Sequence, residues 1–162
     1  LELALWCDII IASENAEFGM LEPRRGVLST SLITRLSRKV PLNLAMEMML
    51  TGDAISGEEA VQYGFANRAF PIESLEEEVL RVAEKIAKIP TDLEQMNKRA
   101  VHRQMELMGM RAAIRQGTEI QALAFHTEST RAHFKELRAG LTDALSKRDG
   151  KFGDYRTSEK DA

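Results

Sequence analysis

The stretch ELALWCDIIIASENAEFGMLE, residues 2–22, decides how this chain is read. Its centre, Cys7 to Ser13, carries Ile9, Ile10 and Ile11 in succession, a β-branched run with few polar interruptions. Such a run reads as a strand buried on both faces, which is how strands sit in a parallel sheet. Ala16 to Met20 reads as a second short strand, closed by turn chemistry around Pro23 and Gly26. A carboxylate stands at each end of the stretch. Glu2 precedes Leu3 to Trp6 and falls in the first turn of a helix, and Glu22 sits beside Pro23 at a chain reversal. With a strand and its return between them, two positions 20 residues apart can be brought close in space.

Downstream, the pattern turns helical. Leu42 to Leu50 carries Leu44, Ala45, Met48 and Met49 on one stripe and stops at Gly52, a residue suited to the left-handed conformation after a helix end. Ser56 with Glu59, Ser74 with Glu77, and Thr91 with Glu94 each have capping-box spacing, which predicts three more helix starts. The first of these helices ends near Gly64 and leads into Phe65 to Phe70, an expected edge strand terminated by Pro71. The second places Leu75, Val79, Val82, Ala83 and Ile86 at helical spacing, and the third runs from Thr91 to about Met108, with Pro90 between the two. Beyond Met110 one long helical pattern extends to about Ala139, and a polar tail from Gly153 is expected to fray. The methionines, Met46, Met48 and Met49 among them, read as packing.

Composition narrows the function. The chain has 162 residues, 44% hydrophobic and 29% charged, enough for a globular core. No apolar run approaches the roughly 18 residues of a membrane-spanning helix. The net charge of -3 argues against nucleic acid as a partner, because that role needs a cationic surface to displace counterions. Residues 1–72 hold 6 Lys+Arg against 9 Asp+Glu, leaving 16 against 16 beyond, so neither part is basic. The single cysteine, Cys7, excludes an internal disulfide and reads as a buried thiol in an intracellular, cytoplasmic setting. Leu1 is not a methionine and no leader pattern follows it, so the sequence reads as the interior of a longer gene product.

Two carboxylates in an apolar pocket can hold one proton between them, because proximity pushes their affinities for it apart. One then acts as base and the other as acid, which suits adding water across a double bond. From residues alone, Glu2 as a helix-dipole partner and Glu22 as a turn carboxylate is the plainer account. His126 and His133 share a helical spacing without a third ligand, so no metal site is expected. His102 lies in a basic patch with Lys98, Arg99 and Arg103 that reads as a solvated face, with phosphate contact as the alternative. There is no Walker loop, nucleotide glycine fingerprint or catalytic triad spacing.

Taken together, Glu2-Leu3-Ala4-Leu5, Cys7-Asp8-Ile9, Ile11-Ala12-Ser13-Glu14, Ala16, Phe18-Gly19 and Glu22 resemble the signature of the crotonase superfamily, the enoyl-CoA hydratase/isomerase family. Ala45-Met46-Glu47-Met48, Leu50-Thr51-Gly52, Ile55-Ser56, Glu59-Ala60 and Gly64 continue the likeness in the same order, densely to about residue 88. Lys98 stands where the family often has a lysine, and Lys147-Arg148 with Phe152 is similar to the family's ending.

The resemblance implies an α/β fold: the later part of a crotonase ββα spiral over residues 1–72, carrying the catalytic glutamates, then an all-helical trimerisation region over 73–162. It implies a homotrimer or hexamer and an acyl-CoA thioester substrate, with coenzyme A as part of that substrate and no separate cofactor. By residue match Glu2 and Glu22 fall on the two catalytic glutamates of a hydratase, which hold water, deliver its hydroxyl to C3 and protonate C2, as in fatty acid β-oxidation. Leu1, Thr30, Lys98 and Lys147 are the expected substrate-binding positions, Thr30 through a backbone N–H that helps to hold water. An oxyanion hole of two backbone N–H groups would lie upstream of this chain, so the isolated chain is expected to be inactive. Two other readings follow: an isomerase or related acyl-CoA reaction using Glu22 alone, and a crotonase-like scaffold without chemistry. The chain departs from the family at Leu21, where proline is usual, and at Ser29-Thr30-Ser31-Leu32-Ile33, where a glycine-rich segment is usual. Side chains there reshape a pocket that glycine would leave open.

Overall fold

The structure is a computed structural model and describes residues 1–152; the expected fraying from Gly153 falls outside them. Helix α1, Glu2–Leu5, is a single turn that begins with the acidic residue and buries Leu5 completely. Strands β1, Ile11–Ser13, and β2, Glu17–Gly19, follow, then a 3-10 turn at Pro23–Arg25. Next come α2, Thr30–Lys39, and α3, Leu42–Thr51, which stops at left-handed Gly52 (φ 74°) as its sequence predicts. Strand β3, Ala54–Ser56, leads into α4, Gly57–Gln62, and strand β4, Arg68–Phe70, precedes five helices: α5 Ile72–Ile86, α6 Thr91–Leu107, α7 Met110–Ala124, α8 Glu128–Ala139 and α9 Leu141–Phe152.

The isoleucine run does enter a parallel ladder: β1 pairs with β4 in the register Ile11 with Arg68, Ala12 with Ala69 and Ser13 with Phe70. Only its last residues are strand, however, and Ile9 is exposed. The Asn67 side chain accepts from the Ile10 N–H at 2.8 Å, and the Asn67 N–H donates to the Ile10 carbonyl at 2.8 Å, which ends the ladder. Strands β2 and β3 pair antiparallel, Phe18 opposite Ile55. The Phe18 ring meets Phe65 edge-on, with centroids 4.9 Å apart. Every residue of the buried core cluster lies between Leu5 and Ala66, with Leu32, Leu36, Ala45 and Met48 at its centre. Gly57 sits so close to β1 that a Cβ there would lie 1.9 Å from the Ser13 carbonyl oxygen.

Several expectations are corrected. Ser56 and Glu59 do form a reciprocal capping box, but Ser74 and Thr91 do not cap: Pro71 and Pro90 occupy those N-cap positions, and the Ser74 hydroxyl turns back to the Pro71 carbonyl at 3.2 Å. Proline before a helix sets the entry angle without needing a donor. The pattern after Met110 is two helices, not one, because Thr127 turns extended, caps α8 and breaks the ladder. Cys7 is exposed, not buried: α1 ends just before it, so its side chain lies on the rim of the core. Helices α2 and α9 carry no signal that the sequence pattern resolved. The amphipathic stripe of α2, with Thr30, Leu32, Thr34 and Leu36 buried, is half polar, and threonine hydroxyls hide it from a hydropathy reading. Two of those hydroxyl positions are satisfied internally: Thr34 donates to the Thr30 carbonyl at 2.8 Å, and Thr30 donates to Gln121.

Candidate active site

The two glutamates stand on two short elements that α2 joins. Glu2 begins α1, exposed on its surface, and its Oε1 accepts the Ser29 hydroxyl at 3.0 Å. Ser29 is the N-cap of α2, in extended backbone, and its Oγ also accepts the Leu32 N–H at 3.5 Å. Leu1 lies at the N-cap of α1, partly buried against the core, with its carbonyl accepting the Leu5 N–H at 3.1 Å.

Glu22 is half-buried and caps the 3-10 turn with its main chain: its carbonyl accepts from the Arg25 N–H at 2.9 Å and the Val27 N–H at 3.1 Å. Val27 is therefore folded back onto Glu22, and Ser29 follows two Cα steps later, at most about 7.6 Å away. The turn after Glu22 is held from outside. Arg24, whose side chain is only 4% exposed, donates to the Thr51 carbonyl at 2.9 Å and pairs with Asp53 at 2.5 Å. The buried Thr130 hydroxyl of α8 donates to the Gly26 carbonyl.

Thr30 sits at the same end of α2. Its N–H and its hydroxyl both donate to Gln121 Oε1 of α7, at 3.2 and 2.7 Å, and its methyl group faces Gly117. The N–H that the sequence offers to water is thus engaged by Gln121, and water at that position has to displace it.

The two lysines go elsewhere. Lys98, on α6, pairs with Asp8 at 2.8 Å, beyond the C-terminal end of α1, and His102 lies 3.4 Å from the same carboxylate. The Lys98 hydrogen bond holds the Asp8 carboxyl below its ordinary value, against a smaller opposing effect of burial. Asp8 in turn raises the Lys98 ammonium. Lys147, on α9, pairs with Glu136 at 2.6 Å and lines an open cleft of about 370 Å³ shared with Arg25, His133, Lys151 and the turn after Glu22. The Lys147 bond lowers the Glu136 carboxyl. The structure therefore gathers Glu2, Ser29 and Thr30 at the head of α2, with the Glu22 turn next to them and Lys147 in the cleft that this turn lines, and leaves Lys98 apart.

Sequence reasoning missed the supports. Arg35 of α2 stacks its guanidinium 3.5 Å from the centre of the Trp6 ring and donates to the Leu5 carbonyl at 3.3 Å, bracing the C-terminal end of the helix that carries Glu2. Desolvation lowers the Arg35 guanidinium from its ordinary value. Ser29 stood out as a departure from the family's glycines; Gln121 and Thr130, which reach Thr30 and the Glu22 turn from far along the chain, carried no signal.

The family described as enoyl-CoA hydratase/isomerase matches residues 1–155. The chain is 36% identical over 154 residues to a protein of Pongo abelii named enoyl-CoA hydratase, mitochondrial, covering 94% of this chain and 50% of that protein. It is 33% identical over 152 residues to the 2,3-dehydroadipyl-CoA hydratase of Escherichia coli K12, covering 93% of this chain and 56% of that protein. The solved structure of an enoyl-CoA hydratase/isomerase from Xanthobacter autotrophicus Py2 superposes with a TM-score of 0.83 at 32% identity, over 93% of this chain and 56% of that one. The chain spans about half the length of the curated relatives it matches. No helix among the described residues is long and apolar enough to cross a membrane. With its parallel and antiparallel ladders, its helical second half and this match over nearly its whole length, the chain belongs to the enoyl-CoA hydratase/isomerase family and forms the later part of a crotonase fold.

Proposed function

We propose that the protein containing this chain is an enoyl-CoA hydratase, with Glu2 and Glu22 as its paired acid and base. The observation that carries this reading is the convergence of the Glu2 carboxylate and the Glu22 turn on the head of α2, through Ser29 and Val27. In the proposed reaction one carboxylate takes a proton from water as its oxygen bonds to C3 of a trans-2-enoyl thioester. The other, protonated, delivers its proton to C2, so one water is added and no electrons are lost or gained. A redox-neutral addition of this kind calls for no cofactor beyond the coenzyme A of the substrate.

Lys147 and the cationic groups around its cleft are suited to the phosphates of coenzyme A, on condition that Lys147 exchanges its Glu136 partner for phosphate. Leu1, Thr30 and Lys98 complete the proposed substrate contacts, Thr30 and Lys98 likewise by giving up their present partners. The donors for the thioester oxyanion belong, on the family pattern, to sequence that this chain does not contain, so the 162-residue chain alone should be inactive. The proposal extends to a trimer or hexamer and to a site of action inside the cell, in the cytoplasm or in an organelle.

The test is loss of enoyl absorbance from crotonyl-CoA with the full-length protein and its Glu2→Gln and Glu22→Gln variants. Both variants should fold normally and lose roughly three or more orders of magnitude in rate. If Glu2→Gln stops hydration but spares double-bond migration, the enzyme is an isomerase working through Glu22. A wild type inert toward every enoyl-CoA offered would make it a scaffold.

A further inference from the structure

We propose that Ser29 is a positioning residue for Glu2, an inference that rests on the two-glutamate reading above. The Ser29 side chain touches two partners whose chemistry allows one arrangement. The Leu32 N–H can only donate, so it takes a lone pair of Oγ; the single hydroxyl proton is then free for Glu2 Oε1, 3.0 Å away. The ionised carboxylate is an obligate acceptor, so Ser29 bonds best to Glu2 in its charged form.

Ser29 is itself held on several sides. It is 7% exposed, and its place at the N-cap of α2 fixes its backbone. The next residue, Thr30, is clamped to α7 by its two bonds to Gln121 and by the fit of its methyl group on Gly117. Gly117 allows that fit because any Cβ there would meet the Thr30 methyl at 2.8 Å. Rigidity therefore passes from α7 through Thr30 and Ser29 to a carboxylate that stands exposed on a one-turn helix. Among the described residues, Ser29 is the one side chain that hydrogen-bonds Glu2. It occupies Oε1 and leaves Oε2 for exchange with water, fixing which oxygen acts. The segment in which this chain departs from the family's glycines is thus the source of the hydroxyl.

The experiment is steady-state hydration of crotonyl-CoA by the full-length protein with Ser29→Gly, Ser29→Thr, Glu2→Gln and the Glu2→Gln/Ser29→Gly pair, with thermal midpoints measured alongside. Glycine removes the hydroxyl yet caps helices nearly as well as serine, so the fold is expected to hold. Loss of orientation should lower kcat by about 10- to 100-fold and change KM by less than about threefold. Ser29→Thr, which restores a hydroxyl, should recover most of that loss, and the paired variant should be no slower than Glu2→Gln alone. Three results overturn the proposal while the two-glutamate reading stands: a Ser29→Gly variant with wild-type kcat, a penalty equally large in the Glu2→Gln background, or a loss that follows a lowered midpoint and is not recovered by threonine. Hydration by Glu2→Gln at the wild-type rate, or none by the wild type, overturns both readings.

Discussion

Gly57 illustrates how little room a single residue can have where a helix starts against a strand. Its N–H donates to the Glu14 carbonyl at 3.1 Å while its Cα faces the Ser13 carbonyl, so α4 starts against the backbone of β1. A methyl group there must displace main chain, which cannot rotate away as a side chain can. Gly57→Ala should destabilise the protein by about 2–3 kcal/mol, seen as a lower urea midpoint at unchanged slope. The residues that matter for chemistry divide differently. Glu2 and Glu22 were legible because a carboxylate at the edge of an apolar segment gains nothing from packing and stands out. Ser29 was legible as a departure from a pattern, without its partner. Gln121 was invisible, since a glutamine on a helix surface has the same appearance whether it faces solvent or clamps Thr30.

Short elements depend on their ends. The Ser56 hydroxyl accepts the Glu59 N–H at 3.1 Å, and the Glu59 carboxylate accepts the Ser56 N–H at 2.7 Å. Ser56→Ala should therefore cost α4 about 1 kcal/mol, measured by chemical denaturation. Helix α8 hangs on Thr130, 1% exposed, whose hydroxyl meets the Gly26 carbonyl. Thr130→Val keeps the shape but leaves that carbonyl without its donor, at a cost of about 1–3 kcal/mol. Hydrogen exchange should show α8 opening before α2 or α3 in this variant.

Helix α6 is tied to the segment after α1 by Lys98 and Asp8, both about half exposed. Asp8 has its carboxyl depressed below 3.8, so its contribution is complete above that value and is lost as pH falls through the lower one. Lys98 is raised above 10.5, so its contribution is complete below that value and is lost as pH rises through the higher one. Between those limits the tie is intact but screened by salt. Amides of α6 should exchange faster in Asp8→Asn than in the wild type at neutral pH and low ionic strength, and the difference should shrink in about 1 M salt.

Over the whole molecule, apolar burial is uneven. The core cluster ends at Ala66, and α5 and α6 contain no fully buried residue. Leu107, Met108 and Leu123 instead present large apolar surface, Leu107 at 84% exposure. Exposed apolar side chains of this kind suit contact with other protein, either the rest of the full-length chain or the partner protomers of the proposed trimer or hexamer. Light scattering on the full-length protein should return three or six protomer masses, and a monomer would refute that assembly.

By itself the sequence determined the parallel strand at Ile11, the helix at Leu42, the stop at Gly52, the capping box at Ser56 and the candidacy of Glu2 and Glu22. Each of these depends on periodicity, turn chemistry or a residue out of keeping with its neighbours, and such signals are local. Only the tertiary structure decided that Ser29 holds Glu2, that Gln121 takes the Thr30 amide, and that Lys98 and Lys147 stand in different places. The pairings of Ser29 with Glu2 and of Thr30 with Gln121 join residues 27 and 91 positions apart, and their geometry is fixed by how α2 packs on α1 and α7, a three-dimensional fact that no local pattern encodes.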